Sequence, residues 1–126
     1  MGYRIDTSAF YWAAAEPARL SAAAETAFTD RGRPHLLSAA SAYELANTHR
    51  IGKPPMSRTG EYAQAASALG LTHVPVSDTE ARSAALIDSP HRVLSDRMIA
   101  AQARAHGLTM ISPDLEFAGL GAQRLW

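Results

Sequence analysis

Short extended apolar segments alternate with helix-patterned stretches along this chain, and that alternation narrows the possible folds more than any other feature. Tyr3 to Asp6 reads as a strand, after which Phe10, Ala13 and Ala14 recur at helical spacing until Pro17. Ser21 is placed to cap a helix running to about Thr29, and Arg31-Gly32-Arg33-Pro34 reads as a loop before a second strand, His35 to Leu37. Ala39 to Arg50 is helical in pattern, with Gly52 and Pro54-Pro55 as stop signals, and Ser57 to Leu69 forms another helix closed by Gly70. Thr72 to Val76 is a third strand, and Ser77 or Asp78 caps a helix that ends before Pro90. Ser95 opens the next helix and Gly107 closes it. Thr109 to Ile111 makes a fourth strand, Ser112-Pro113 begins a short helix, and Gln123 to Trp126 adds an edge strand. The 53 to 60 region, rich in breakers, reads as the most flexible loop.

Parallel strands need crossover connections, and the helices between these strands supply them. The expectation is therefore an α/β chain with a parallel sheet of four to five strands and helices on both faces. With 126 residues and 47% apolar content, one core and one domain spanning 1–126 are expected. Cysteine is absent, which excludes a disulfide framework, a zinc knuckle and a thiol nucleophile. The apolar run Ala9 to Ala15 is too short for a bilayer, and Met1-Gly2 is followed by Asp6 where a myristoylation signal needs Ser or Thr. A soluble, cytoplasmic protein is expected. Twelve basic and twelve acidic residues cancel, so any surface for a polyanion must be local.

Four acids stand out. In an open parallel sheet, ligands bind outside the carboxyl ends of the strands, and that rule brings Asp6, at the end of strand one, and Asp114, just past strand four, to the same edge. Taken singly, each also reads as a helix-start anion worth about 0.3–1 kcal/mol. Glu44 groups with Ala40, Tyr43 and Asn47, and Asp96 with Ile99, Ala100 and Ala103, on helix faces that lean inward. A carboxylate on an apolar face is rare unless paired or metal-bound, so a salt bridge to Arg97 or Arg50 and a metal site are the two readings. Carboxylates without Cys or clustered His suit hard cations such as Mg2+ or Mn2+. Such ions activate water, orient a scissile phosphate and neutralise the leaving oxygen in an in-line displacement. Thr7 and Ser112, beside two of the acids, are set to hydrogen-bond a ligand or to cap helices.

The acids lie within longer motifs: Ile5-Asp6-Thr7-Ser8-Ala9-Phe10-Tyr11-Trp12, Ser38-Ala39-Ala40-Ser41-Ala42-Tyr43-Glu44-Leu45-Ala46 and the Ile51-Gly52-Lys53 turn. Further along come Asp96-Arg97-Met98-Ile99-Ala100-Ala101-Gln102-Ala103, Ser112-Pro113-Asp114 with Phe117, and the closing Leu125-Trp126. In that order these stretches resemble the PIN-domain family, specifically VapC-type toxins of bacterial toxin–antitoxin pairs. The resemblance implies a three-layer α/β/α sandwich, Mg2+- or Mn2+-dependent endoribonuclease activity on RNA such as tRNA or rRNA, homodimerisation, and neutralisation by a cognate VapB-type antitoxin. It further implies that Asp6, Glu44 and Asp96 are the core acidic ligands, that Asp114 is a more variable fourth acid, and that Arg97 organises the carboxylates. One stretch departs from the family. Where it often reads His-x-Asp-Pro-Phe-Asp-Arg, this chain has His91-Arg92-Val93-Leu94-Ser95-Asp96-Arg97, losing the first Asp and the Pro-Phe pair.

His91 alone reads as a phosphate contact or a loop cap. Arg50, Lys53, Arg58, Arg92 and Arg104 are candidates for a basic rim along an RNA backbone, or simply solvated charge. Phe10, Tyr11 and Trp12 read as core or dimer contacts rather than base-stacking platforms. Two other functions compete with the toxin: a catalytically impaired domain that binds a partner or RNA, and a nuclease outside any toxin pair that acts on DNA or in RNA processing.

Overall fold

The computed structural model describes residues 2–50 and 59–126. Five strands form one parallel sheet: β1 (Tyr3–Ile5), β2 (His35–Ser38), β3 (Thr72–Val74), β4 (Thr109–Ile111) and β5 (Gln123–Leu125), in the order β3-β2-β1-β4-β5. The connections are helical: α1 (Thr7–Ala15), α2 (Ala22–Thr29), α3 (Ala39–Arg50), α4 (Thr59–Ala68), α5 (Asp78–Leu86), α6 (Leu94–His106) and the short α7 (Glu116–Gly119). The expected α/β/α sandwich is present, with five strands among the described residues.

Successive residues of a strand face opposite sides of a sheet, and the burial follows that period. Tyr3, Ile5, Leu37 and Ile111 pack on one side with Phe10 of α1, Phe28 of α2 and Ala66 of α4. Met110, with Leu36 packed against the same cluster, lies on the other side with Ala84 of α5, Ile99, Ala100 and Ala103 of α6, and Phe117 of α7. Arg4 is 1% exposed in the middle of β1. Its flanking strand partners are Leu36 and Met110. Burial lowers its pKa to about 10, and the nearby Glu80 charge partly offsets this.

Several helix ends are where local chemistry puts them. Ser21 Oγ accepts from Ala24 N at 3.0 Å, and Ser77 Oγ accepts from Glu80 N at 3.1 Å while donating to the Glu80 carboxylate at 3.0 Å. Gly107 closes α6 in the left-handed conformation (φ 63°), which carries no Cβ penalty in glycine. Strands β1, β2 and β5 end one residue from expectation, and three further boundaries differ for a physical reason. β3 stops at Val74, where Pro75 cannot donate to a ladder. α6 begins at Leu94 rather than Ser95, because the Ser95 hydroxyl is engaged elsewhere. α7 begins at Glu116 rather than at Ser112-Pro113, because Ser112 Oγ bonds Asp6 and the Asp114 backbone N–H.

The strand order turns about β1, with β2 on one side and β4 on the other. A crevice opens at the carboxyl ends of strands where the order of connection reverses, here between β1 and β4. Asp6 N donates to Ile111 O at 3.1 Å, extending the β1–β4 ladder to the lip of that crevice.

Candidate active site

Asp6 occupies the position before α1, yet its side chain makes no cap hydrogen bond to the helix. Instead its Oδ2 accepts from Ser112 Oγ at 2.8 Å, and Asp6 is only 4% exposed. Burial pushes the Asp6 carboxyl up to about 7; the Ser112 hydrogen bond opposes the rise, and the charges of Asp96 and Glu44 add to it.

Glu44 reaches the same edge from α3. Its Oε2 accepts from Thr7 Oγ1 at 2.9 Å and from Ser95 Oγ at 3.0 Å. Thr7 Oγ1 also lies 2.9 Å from Ser41 Oγ, and since a hydroxyl has one proton, Ser41 donates to Thr7 while Thr7 donates to the carboxylate. Thr7 and Ser112 thus bond the acids themselves. Ser95 was not anticipated as a site residue; it stands where the family reads Phe.

Asp96 lies in the first turn of α6, above the buried Ile99, Ala100 and Ala103. Its pKa is raised, chiefly by burial and further by the Glu44 and Asp114 charges, against the lowering effect of His91. His91 Nε2 is 2.9 Å from Asp96 Oδ2, and His91 Nδ1 contacts Glu116 Oε2. Asp114 follows β4; its N–H donates to Ser112 Oγ at 3.0 Å and its Oδ1 accepts from Glu116 N at 2.9 Å.

Asp6 therefore feels the charges of Asp96 and Glu44, and Asp96 those of Glu44 and Asp114, at one edge of the sheet, but the four acids do not close into a cage. Among the described residues, no three His, Asp or Glu side chains are placed to hold a metal ion together. The donor set nevertheless fits a hard cation. It is all oxygen, its deepest member resists ionisation, and among the described residues no Lys, Arg or His forms an ion pair with Asp6, Glu44 or Asp114.

Arg97 does not pair with a carboxylate. Its guanidinium donates to the carbonyls of Ala84 (2.9 Å), Ile87 (2.5 Å), Ser89 (3.1 Å), His91 (2.8 Å) and Ala85 (3.4 Å). It holds the loop between α5 and α6, a role its place beside Asp96 did not reveal. Arg50 donates to Asn47 Oδ1 and leaves Glu44 alone.

Of the basic rim, Arg50 and Arg92 are exposed on the described surface, and Arg92 lines a cleft with His91 and Glu116. Lys53, Arg58 and the Ile51-Gly52-Lys53 turn lie outside the described residues. Arg104 sits with Gly107, Leu108 and Gln123 at the amino ends of β4 and β5, on the edge away from the acids, so it does not belong to the rim. Phe10 is core, whereas Trp12 tilts against Trp126 at 5.7 Å beneath the Arg19 guanidinium. Tyr43, read as part of an inward-leaning face, is 64% exposed; with the 60% exposed Leu94 it lines an apolar cleft of about 220 Å³.

The PIN domain family model matches residues 3–122. The chain belongs to the PIN-domain family. Solved structures agree in fold. VapBC2 from Rickettsia felis, bound to a DNA fragment from its promoter, is 13% identical with a TM-score of 0.71, over 99% of this chain and 98% of that one. The Mycobacterium tuberculosis VapC20, a sarcin-ricin loop cleaving toxin, is 20% identical with a TM-score of 0.64, over 96% of each chain. FitAcB from Neisseria gonorrhoeae is 17% identical with a TM-score of 0.61, over 98% of this PIN chain and 96% of that one. The search of curated proteins gives no match. No helix among the described residues of this PIN domain is long and apolar enough to cross a membrane.

Proposed function

We propose that this PIN domain is a Mg2+- or Mn2+-dependent endoribonuclease and the toxin of a type II toxin–antitoxin pair. The observation that carries the reading is the buried Asp6 carboxyl at the β1–β4 crevice, its pKa lifted to about 7 within reach of the Glu44 and Asp96 charges. Asp6, Glu44 and Asp96, with Asp114, would hold the cation. When bound, the ion supplies water activation and charge neutralisation at a phosphodiester. The chain's own work is orientation: Ser112 holds Asp6, Thr7 and Ser95 hold Glu44, and Arg97 holds the loop that leads into Asp96.

RNA as substrate is supported by the likeness to VapC20, described as a sarcin-ricin loop cleaving toxin, and Arg50 and Arg92 supply local positive charge for a phosphate backbone. A VapB-type antitoxin partner is supported by the VapBC2 and FitAcB assemblies. Tyr43, Val93 and Leu94 form an exposed apolar surface beside the acids, which we assign to a homodimer contact.

The test is cleavage of tRNA and rRNA by purified protein with Mg2+ or Mn2+, with and without EDTA, alongside Asp6→Asn and Asp96→Asn. Metal-dependent cutting that both variants lose supports the reading; unchanged cutting by either folded variant overturns it. The altered 91–95 loop, where Ser95 stands in place of the family's Phe, supports a second reading, a PIN domain that binds RNA or a partner without cutting. Folded, partner-free protein that takes up no divalent ion in calorimetry selects that one.

A further inference from the structure

His91 is held at every polar atom it has. Its backbone N–H donates to Ser89 Oγ at 3.2 Å, and its carbonyl accepts from Arg97 Nη1 at 2.8 Å. One ring nitrogen faces Asp96 and the other Glu116. The His91 and Asp96 side chains are both largely buried, whereas that of Glu116 is mostly exposed.

The connection runs further, because Glu116 N donates to Asp114 Oδ1 at 2.9 Å. A continuous path therefore links the acid on α6, through the imidazole, to the segment that carries the acid after β4. Asp96 needs such a support. The helix start that bears it has no side-chain cap, since Val93 stands at that position, and the neighbouring Arg97 is committed to backbone carbonyls. Among the described residues, His91 is the sole hydrogen-bond partner of the Asp96 carboxylate, and it engages Oδ2 only.

We propose that His91 is the positioning residue for Asp96, fixing the carboxylate through Oδ2 so that Oδ1 stays unengaged for a divalent cation. This rests on the reading of Asp96 as a metal ligand. Outer groups of this kind set the orientation of the ligand they touch, and their loss costs about 10–100-fold in metal affinity. Glu116 fixes the ring plane from the opposite side, so its removal acts in the same direction with a smaller effect.

The experiment titrates Mn2+ alone into the full chain by calorimetry, for wild type, His91→Ala, His91→Gln, Asp96→Asn and the His91→Ala/Asp96→Asn double variant, with circular dichroism of each. His91→Ala is expected to weaken Mn2+ binding by about 10–100-fold. His91→Gln, whose amide keeps an N–H donor, retains most of the affinity. In the Asp96→Asn background, His91→Ala has no further effect, the signature of one residue acting through the other. Equal Mn2+ affinity in wild type and folded His91→Ala overturns the proposal, as does an undiminished loss in the Asp96→Asn background. If His91→Ala does not fold, His91→Leu against His91→Gln makes the same comparison, and equal affinity overturns the proposal. A wild type that binds no Mn2+ overturns the metal reading itself, and this inference with it.

Discussion

Ser95 and Glu44, separated by 51 positions in the chain, meet through a 3.0 Å hydrogen bond that joins the start of α6 to the middle of α3. A hydrogen bond to a charged acceptor contributes about 1.5–3 kcal/mol, and Thr7 shares the same Glu44 oxygen. Ser95→Ala should therefore lower unfolding stability by about 1–2 kcal/mol in urea titrations. Restoring the family's Phe is expected to be worse, because position 95 is buried against Glu44.

Asp6 makes the metal-free protein sensitive to pH in an unusual direction. Its folded pKa of about 7 lies above the ordinary 3.8, so the folded state binds the extra proton between these values. Stability is then greatest below about pH 4 and falls as pH rises through about 7, by up to about 4 kcal/mol from this group. Asp96 acts with the same sign. Thermal melts in EDTA should show Asp6→Asn more stable than wild type at pH 8 and close to it at pH 4. A wild-type melting temperature that rises between pH 5 and 8 relative to Asp6→Asn would contradict this.

The acids should not be equivalent. Asp6→Asn and Asp96→Asn are expected to cut the metal-dependent cleavage rate by more than the about 10–100-fold typical of an outer group. Asp114→Asn should retain more, because Asp114 is engaged by the Glu116 backbone and acts on Asp96 only through its charge. Single-turnover rates on one RNA substrate, measured at saturating Mn2+, rank the three.

Arg97→Lys keeps the charge and should still destabilise the protein. Lysine has no planar fork, so it cannot serve the carbonyls of Ala84, Ile87, Ser89 and His91 together. A loss of about 2–3 kcal/mol is expected in urea titrations. Hydrogen exchange should speed first in residues 84–91.

Replacing Tyr43 and Leu94 together by Ser removes the exposed apolar surface beside the acids. If this surface is the proposed homodimer contact, light scattering after size exclusion should show a dimeric wild type and a monomeric variant with unchanged circular dichroism.

The alternation of strands and helices was legible because its signals are local: period, cap and breaker all lie within a few residues of the element they define. Strand-end logic likewise anticipated that Asp6 and Asp114 share an edge, and Ser112 joins them there. What stayed hidden were side chains whose partners lie on other elements. His91 reads as a lone histidine until α7 brings Glu116 against it, and Ser95 reads as a helix cap until α3 supplies Glu44. Arg97 beside Asp96 suggests an ion pair, but its helix phase turns the guanidinium to the α5–α6 loop. Arg4 is buried because β1 is the middle strand and has helices over both of its faces.

The bond from Ser112 to Asp6 spans 106 positions, and the strand that ends at Asp6 is paired on one side by β2 and on the other by β4. A nascent copy that has extruded everything up to α6 already owns Asp6, Glu44 and Asp96, yet its central strand still has one bare edge, and the Asp6 carboxyl lacks its Ser112 partner. Contacts between residues so far apart in sequence slow folding, because loop closure precedes the contact that rewards it. On the proposed reading, a half-synthesised copy lacks a complete acidic centre, so cleavage would begin only after β4 has sealed the sheet.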